Sequence, residues 1–180
     1  MPGKHRISFS LDDSDLAYFH AIFRAAKLNA LEVDRSKIEH GVKRLIKDVR
    51  AARRAPHFVL EAVQTLEDLL GVLDDKDYAA PASVHRSVLA ALAYFSDAKD
   101  VIPDDVPMVG FLDDAIMIKL VEEDLKHELW GYRKFCKFRE GAEQRPWSVI
   151  AKQRLPRRLK EKRDAIRSEI REREEREKAA

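Results

Sequence analysis

Residues Tyr94 to Asp114 read YFSDAKDVIPDDVPMVGFLDD, and the fold of the chain turns on this stretch. It places two prolines, one glycine and six aspartates between two strongly apolar helical patterns. Pro103 and Pro107 fix φ and lack an N–H, so no regular helix runs through. Ile102 and Val106, each before a proline, are pushed towards extended geometry. Asp100 and Asp104 are short acceptors suited to backbone N–H groups two or three residues on. Gly110 suits a positive φ or a close backbone approach. Val101, Ile102, Val106, Met108, Val109, Phe111 and Leu112 are apolar, unlike an ordinary solvated loop. The stretch therefore reads as a tight, partly buried connector whose aspartates satisfy its own backbone donors.

The spacing YFxxxxDxIPDxxPxxGxxDD is carried by Tyr94, Phe95, Asp100, Ile102, Pro103, Asp104, Pro107, Gly110, Asp113 and Asp114. It resembles the signature of the YkvA-like family, a bacterial domain family of unknown function. The motif covers about 21 residues, and the flanking helical patterns extend the likeness to Ile7–Arg139. Where the family often has Ser-Pro before the first aspartate, this chain has Asp97 and Ala98. The resemblance implies no reaction, so no catalytic residue is carried over.

Outward from the connector, apolar residues recur at helical spacing. Upstream, a first helix is predicted over Asp12–Leu28, opened by a capping box from Ser10 and Asp13. A second starts at Asp34 or Ser36 with Ile38, Val42, Leu45 and Val49 on one stripe. Its other faces are basic, with Lys43, Arg44, Lys47, Arg50, Arg53 and Arg54. A third spans Pro56–Leu73. The fourth, Ala82–Phe95, is apolar round much of its circumference, which marks a buried central helix. Downstream, Phe111, Ala115, Ile118, Leu125, Leu129, Tyr132 and Cys136 predict one long helix to Phe138. From Pro156 a charged helix follows, projecting or docked along a thin stripe, with i,i+4 pairs Glu169–Arg173, Glu172–Arg176 and Glu174–Lys178. Ile7, Phe9 and Leu11 alternate with polar residues and suggest one short extended piece. The expected fold is all-α: a single-domain helical bundle of about five helices with a charged C-terminal helix. Residues 1–11 form an N-terminal extension, 12–139 the helical domain, and 140–180 a linker and the charged helix.

Composition narrows the function classes. The charged share is 37%, above the usual quarter or so, yet the net charge is only +2. Bulk electrostatics therefore dictates neither a nucleic-acid nor a membrane partner. The single cysteine, Cys136, excludes an internal disulfide and a cysteine-based zinc site. No run approaches the ~18 apolar residues of a spanning helix. A cytoplasmic protein is expected, with a peripheral position at the inner membrane as a variant.

Asp100, Asp104, Asp113 and Asp114 are the sharpest chemical candidates. Mg²⁺, Mn²⁺ or Ca²⁺ take oxygen ligands, and a folded-back connector would bring these four together. No calcium-loop spacing is present and no histidine lies in the stretch. Capping of turns and helix ends accounts for each aspartate without a metal and is the favoured reading. No cofactor is expected, a divalent cation being the alternative. The six histidines show no HxxxH or HExxH spacing. Cys136 lies on an apolar stripe, as a buried inert thiol would. The basic run Arg154, Arg157, Arg158, Lys160, Lys162 and Arg163, preceded by Trp147, suits RNA, DNA phosphates or anionic headgroups. Acidic residues follow it closely, so a solvated, ion-paired helix is favoured. The same helix offers a weak coiled-coil stripe for self-association.

Together these features point to a non-enzymatic interaction module with an unknown protein partner or an anionic membrane surface. A metal-dependent, hydrolytic enzyme built on the motif aspartates is the alternative. Nucleic-acid binding through the second helix and the tail stands third.

Overall fold

The computed structural model describes residues 10–52, 55–96, 111–143 and 149–180, and among them regular structure is entirely helical. The α-helices are α1 (Asp13–Asn29), α2 (Arg35–Ala51), α3 (His57–Asp74), α4 (Ala82–Leu92), α5 (Leu112–Asp124), α6 (Lys126–Glu143) and α7 (Val149–Lys178). Short 3₁₀ turns occupy Ala30–Glu32 and Ala93–Ser96. The all-α expectation holds, but these are seven helices rather than about five and a charged tail.

The extra helix arises because the long helix expected to reach Phe138 breaks at Leu125, with φ −115° and ψ 18°. Glu122, Glu123 and Asp124 stand just before the break, where negative charge opposes the helix dipole. Leu125 is buried, so the apolar stripe continues through the bend and periodicity alone hides it. Two backbone bonds also bridge it, Leu125 N–H to Val121 O at 3.0 Å and Leu129 N–H to Leu125 O at 2.9 Å.

Helix starts follow from local chemistry. Asp12, not Ser10, caps α1: its carboxylate accepts from the N–H groups of Ser14 and Asp15 at 2.8 and 2.9 Å. Asp15 completes the box by accepting from Asp12 N–H at 3.1 Å. A carboxylate meets the positive helix end more favourably than a hydroxyl. Asp34 caps α2 through Ser36 N–H. Pro56 and Pro81 occupy the N-cap positions of α3 and α4. Of the suggested extended piece, Ile7 and Phe9 lie outside the described residues, while Leu11 packs against the core.

Helices α3 and α4 each contact four others, and α3 is the more deeply buried of the two. Helix α3 contacts α2, α4, α5 and α6, and Leu66, Leu69 and Val72 are fully buried. The shorter α4 buries Val88, Ala91 and Leu92 but leaves Val84 and Leu89 half-buried. It ends at Leu92, short of the expected Phe95, because the chain tightens against α2. There a Cβ on Gly41 would stand 1.9 Å from the Phe95 carbonyl oxygen. A helix-interior glycine costs up to about 1 kcal/mol of intrinsic stability, and here it allows two backbones to touch.

Helix α7 is docked, not projecting. It starts at Val149 rather than Pro156, which lies inside it. Leu155 and Leu159, on either side of the proline, pack against the core, offsetting the backbone bond the ring removes. Further on, Ile166 and Ile170 are buried over Gly131 of α6, whose absent Cβ would meet Ile170 Cδ1 at 2.5 Å.

Gly41→Ala should destabilise the protein by about 1–3 kcal/mol in urea unfolding, because backbone must move. Gly141→Ala, with nothing within 4 Å of the new Cβ, should be neutral or stabilise by up to about 1 kcal/mol.

Candidate functional site

Of the motif residues, Asp100, Pro103, Asp104, Pro107 and Gly110 lie outside the described residues. The two ends of the connector are described. One end, Phe95 and Ser96, rests on Gly41 of α2. The other opens α5, where Asp113 and Asp114 occupy the first turn and are 0% and 6% exposed. Both carboxylates are engaged, at the helix end where negative charge is favoured. Two of the four suggested metal ligands are thus adjacent and buried. Among the described residues no three His, Cys, Asp or Glu side chains gather as a metal site would need.

A second constellation escaped the sequence reading. The Tyr78 hydroxyl donates to Glu128 Oε1 at 2.8 Å. Arg167 Nη1 donates to both oxygens of Glu128 at 2.7 Å. The Arg167 guanidinium also lies over the Tyr78 ring, 4.4 Å from its centroid. Glu128 is only 8% exposed and Tyr78 is fully buried. The Tyr78 ring meets Tyr132 and Phe135 with centroids at 5.0 and 5.3 Å. Burial, then the Glu128 charge, holds the Tyr78 hydroxyl protonated well above the usual tyrosine range. Tyr132 is pushed up chiefly by burial as well.

The loop bearing Tyr78 is held on three sides. Asp75 accepts from the N–H groups of Asp77 and Tyr78 at 2.9 and 3.0 Å, and from Arg139 of α6 at 2.7 Å. Asp74 accepts from Arg35 of α2 at 3.0 Å. Arg163 of α7 donates to the Asp77 carbonyl at 3.4 Å. Ala79 is held at φ 43°, which costs a non-glycine residue about 1–2 kcal/mol. The signal available in the sequence was a tyrosine inside an acidic loop, Asp74-Asp75-Lys76-Asp77-Tyr78. Glu128 gave none, since it stands among charged residues in Lys126-His127-Glu128.

Cys136 is half-buried, and burial pushes its thiol up, away from the reactive thiolate. The tail cations divide by contact. Arg158 and Lys162 lie over the Phe138 ring at 5.7 and 5.6 Å. Arg157 pairs with Glu161 at 2.8 Å, and Arg163 with Asp164 at 3.2 Å. Arg154 and Lys160 are exposed. Of the expected i,i+4 pairs only Glu172–Arg176 forms among the described residues, at 3.9 Å. Glu169 pairs instead with Lys134, and Arg173 stacks 3.8 Å from the Trp130 ring centroid. Docking on α6 draws both inward.

The basic side of α2, like the tail, holds both paired and unpaired cations among the described residues. Lys43 pairs with Glu39 at 3.7 Å and Arg50 with Glu67 at 2.6 Å. Lys37, Arg44 and Lys47 are exposed and make no ion pair among the described residues. Phe58 and Leu60, in the first turn of α3, are 42% and 44% exposed. Elsewhere a cleft of about 530 Å³ is lined by residues from α1, α4, α6 and α7, including Lys27, Ser83, Glu128 and Arg167. Its lining charges balance, with Lys27 bound to Asp124 at 2.7 Å.

A family model described as Protein of unknown function (DUF1232) matches residues 86–120. That span runs from α4 through the connector into α5, and the YkvA-like resemblance agrees with it. Comparison with curated proteins gives no match, and comparison with solved structures gives none either.

Glu128→Gln should cost on the order of 3 kcal/mol, because it leaves Arg167 charged and poorly paired. The triple change Tyr78→Phe, Glu128→Leu, Arg167→Met should recover most of that loss in the same urea titration. Alkaline pH supplies a separate check. Tyr78 and Tyr132 keep their protons longer folded than unfolded, so the unfolded chain holds fewer protons at high pH. Their contribution is complete below the unfolded value of about 10 and falls above it, by up to about 1.4 kcal/mol per pH unit per tyrosine. Tyr78→Phe should flatten that fall in melts run above pH 10.

Proposed function

We propose that the chain is a non-enzymatic interaction module whose working face is the basic side of α2, presented to an anionic partner. One observation carries the reading: Lys37, Arg44 and Lys47 are exposed cations that the described residues leave without an ion pair. The non-catalytic part is supported by how the buried polar groups are used. Glu128 is taken up by Tyr78 and Arg167, Asp75 by Arg139 and two backbone N–H groups. Carboxylates held in this way serve packing, and burial pushes the Cys136 thiol up, away from its reactive form. The setting that goes with this reading is the cytoplasm. No described helix is long and apolar enough to cross a membrane.

Salt elution from immobilised heparin, a generic polyanion, tests the face. Lys37→Glu, Arg44→Glu and Lys47→Glu together should move elution to clearly lower salt with an unchanged thermal melt. The matching tail variant, Arg154→Glu with Arg157→Glu and Lys160→Glu, should move it less. Equal elution of the α2 variant and the parent, or a larger effect from the tail, overturns the assignment.

A further inference from the structure

Resting on that reading, the geometry points to a more specific partner: we propose that the α2 face docks on an anionic lipid bilayer, with Phe58 and Leu60 entering its interface. Lys37, Arg44 and Lys47, spaced i, i+7, i+10, share one face of α2, and Lys47 borders Lys43 and Arg50 at i−4 and i+3. The Arg50–Glu67 ion pair at 2.6 Å fixes the end of that face against α3. Leu60 precedes Glu67 by seven residues, two helical turns, so it lies on the same side of α3 about 10 Å nearer the N-terminus. Phe58 accompanies it in the same turn. Lys47, without an ion pair among the described residues, and the paired Arg50 therefore bring positive charge towards the exposed apolar side chains at one end of the α2–α3 pair.

This combination discriminates between anionic partners. A nucleic-acid backbone uses the cations, but an aliphatic Leu60 offers it nothing. A bilayer interface uses both, attracting the cations by its surface charge and taking the apolar residues below the headgroups. The other large apolar side chains exposed among the described residues, Leu16, Tyr18 and Leu28, lie on α1. There the neighbouring Lys27 is bound to Asp124 and Arg24 donates to the His20 carbonyl.

Co-sedimentation with vesicles of equal parts phosphatidylglycerol and phosphatidylcholine, against phosphatidylcholine alone, tests the proposal alongside heparin elution and retention of mixed oligonucleotides. The parent should sediment with the anionic vesicles only. The α2 triple variant should lose roughly two orders of magnitude in partitioning, at about five-fold per cation before the added repulsion of the new carboxylates. Phe58→Ser with Leu60→Ser should lose about ten-fold or more on vesicles, with heparin elution unchanged. Leu60→Trp should bind vesicles more tightly with an unchanged thermal melt and no sedimentation in the absence of vesicles. If the parent ignores anionic vesicles, or the serine variant binds them as the parent does, the lipid assignment fails while the α2 face stands. Retention of oligonucleotides without vesicle binding gives the partner as nucleic acid and also overturns the proposal. Only loss of the heparin difference removes the α2 face itself.

Discussion

A carboxylate taken out of water must be compensated by bonds, and Glu128 of α6 draws them from two other segments. Desolvating such a charge costs several kcal/mol, so an incomplete set of partners would leave the fold worse off than an apolar core. The set is complete only when Tyr78 of the α3–α4 loop, Glu128 of α6 and Arg167 of α7 are all in place. This fixes register as well as proximity. Glu128 is one turn from Gly131 on α6, and Arg167 lies between Ile166 and Ile170 on α7. Gly131 is the point those two isoleucines meet. The charged contact and the apolar one are therefore a turn apart on both helices, and a slide of α7 would break both.

The acidic loop extends the same logic to the rest of the bundle. Asp74, Asp75 and the Asp77 carbonyl receive arginines from α2, α6 and α7 respectively. The pairs differ in worth. Arg35–Asp74 is half-exposed and adds little. Arg139–Asp75, with Asp75 nearly buried, matters more, because the same carboxylate also caps the turn beneath Tyr78. That capped turn keeps Ala79 in the left-handed region. The local strain is sustained by the ring of Tyr78, wedged against Tyr132 and Phe135.

Helix existence was legible because apolar spacing reports it directly: Ile38, Val42, Leu45 and Val49 read as one stripe and are buried as one. The break at Leu125 was not legible, because a residue can stay on its stripe while its backbone leaves the helix. The partners of Glu128 were hidden for another reason. Its hydrogen-bonding residues are 50 and 39 positions away, and local patterning carries no information on such pairs. Gly41 and Gly131 did carry a signal, as glycines inside otherwise regular helical patterns, and each marks a close approach. The stretch that decided the fold class is legible at its two ends, where Phe95 meets α2 and Asp113 and Asp114 are buried. The metal set drawn from it includes Asp100 and Asp104, outside the described residues.

Near-neutral chains conceal local imbalance, and this one has 34 basic and 32 acidic residues. What distinguishes one surface from another is whether its charges have internal work. On α7 much of the charge does: Arg167 is held on Glu128, Arg173 stacks on Trp130, and Arg158 and Lys162 cover Phe138. Helix α2 carries six basic residues against two acidic ones, too few carboxylates to pair its cations locally. Its inner face is committed to the core through Ile38, Val42, Leu45 and Val49, and to the Phe95 carbonyl through Gly41. That packing holds the helix rigidly while its outer lysines and arginine remain solvated. A fixed array of like charges attracts a polyanion with less ordering cost than a mobile one.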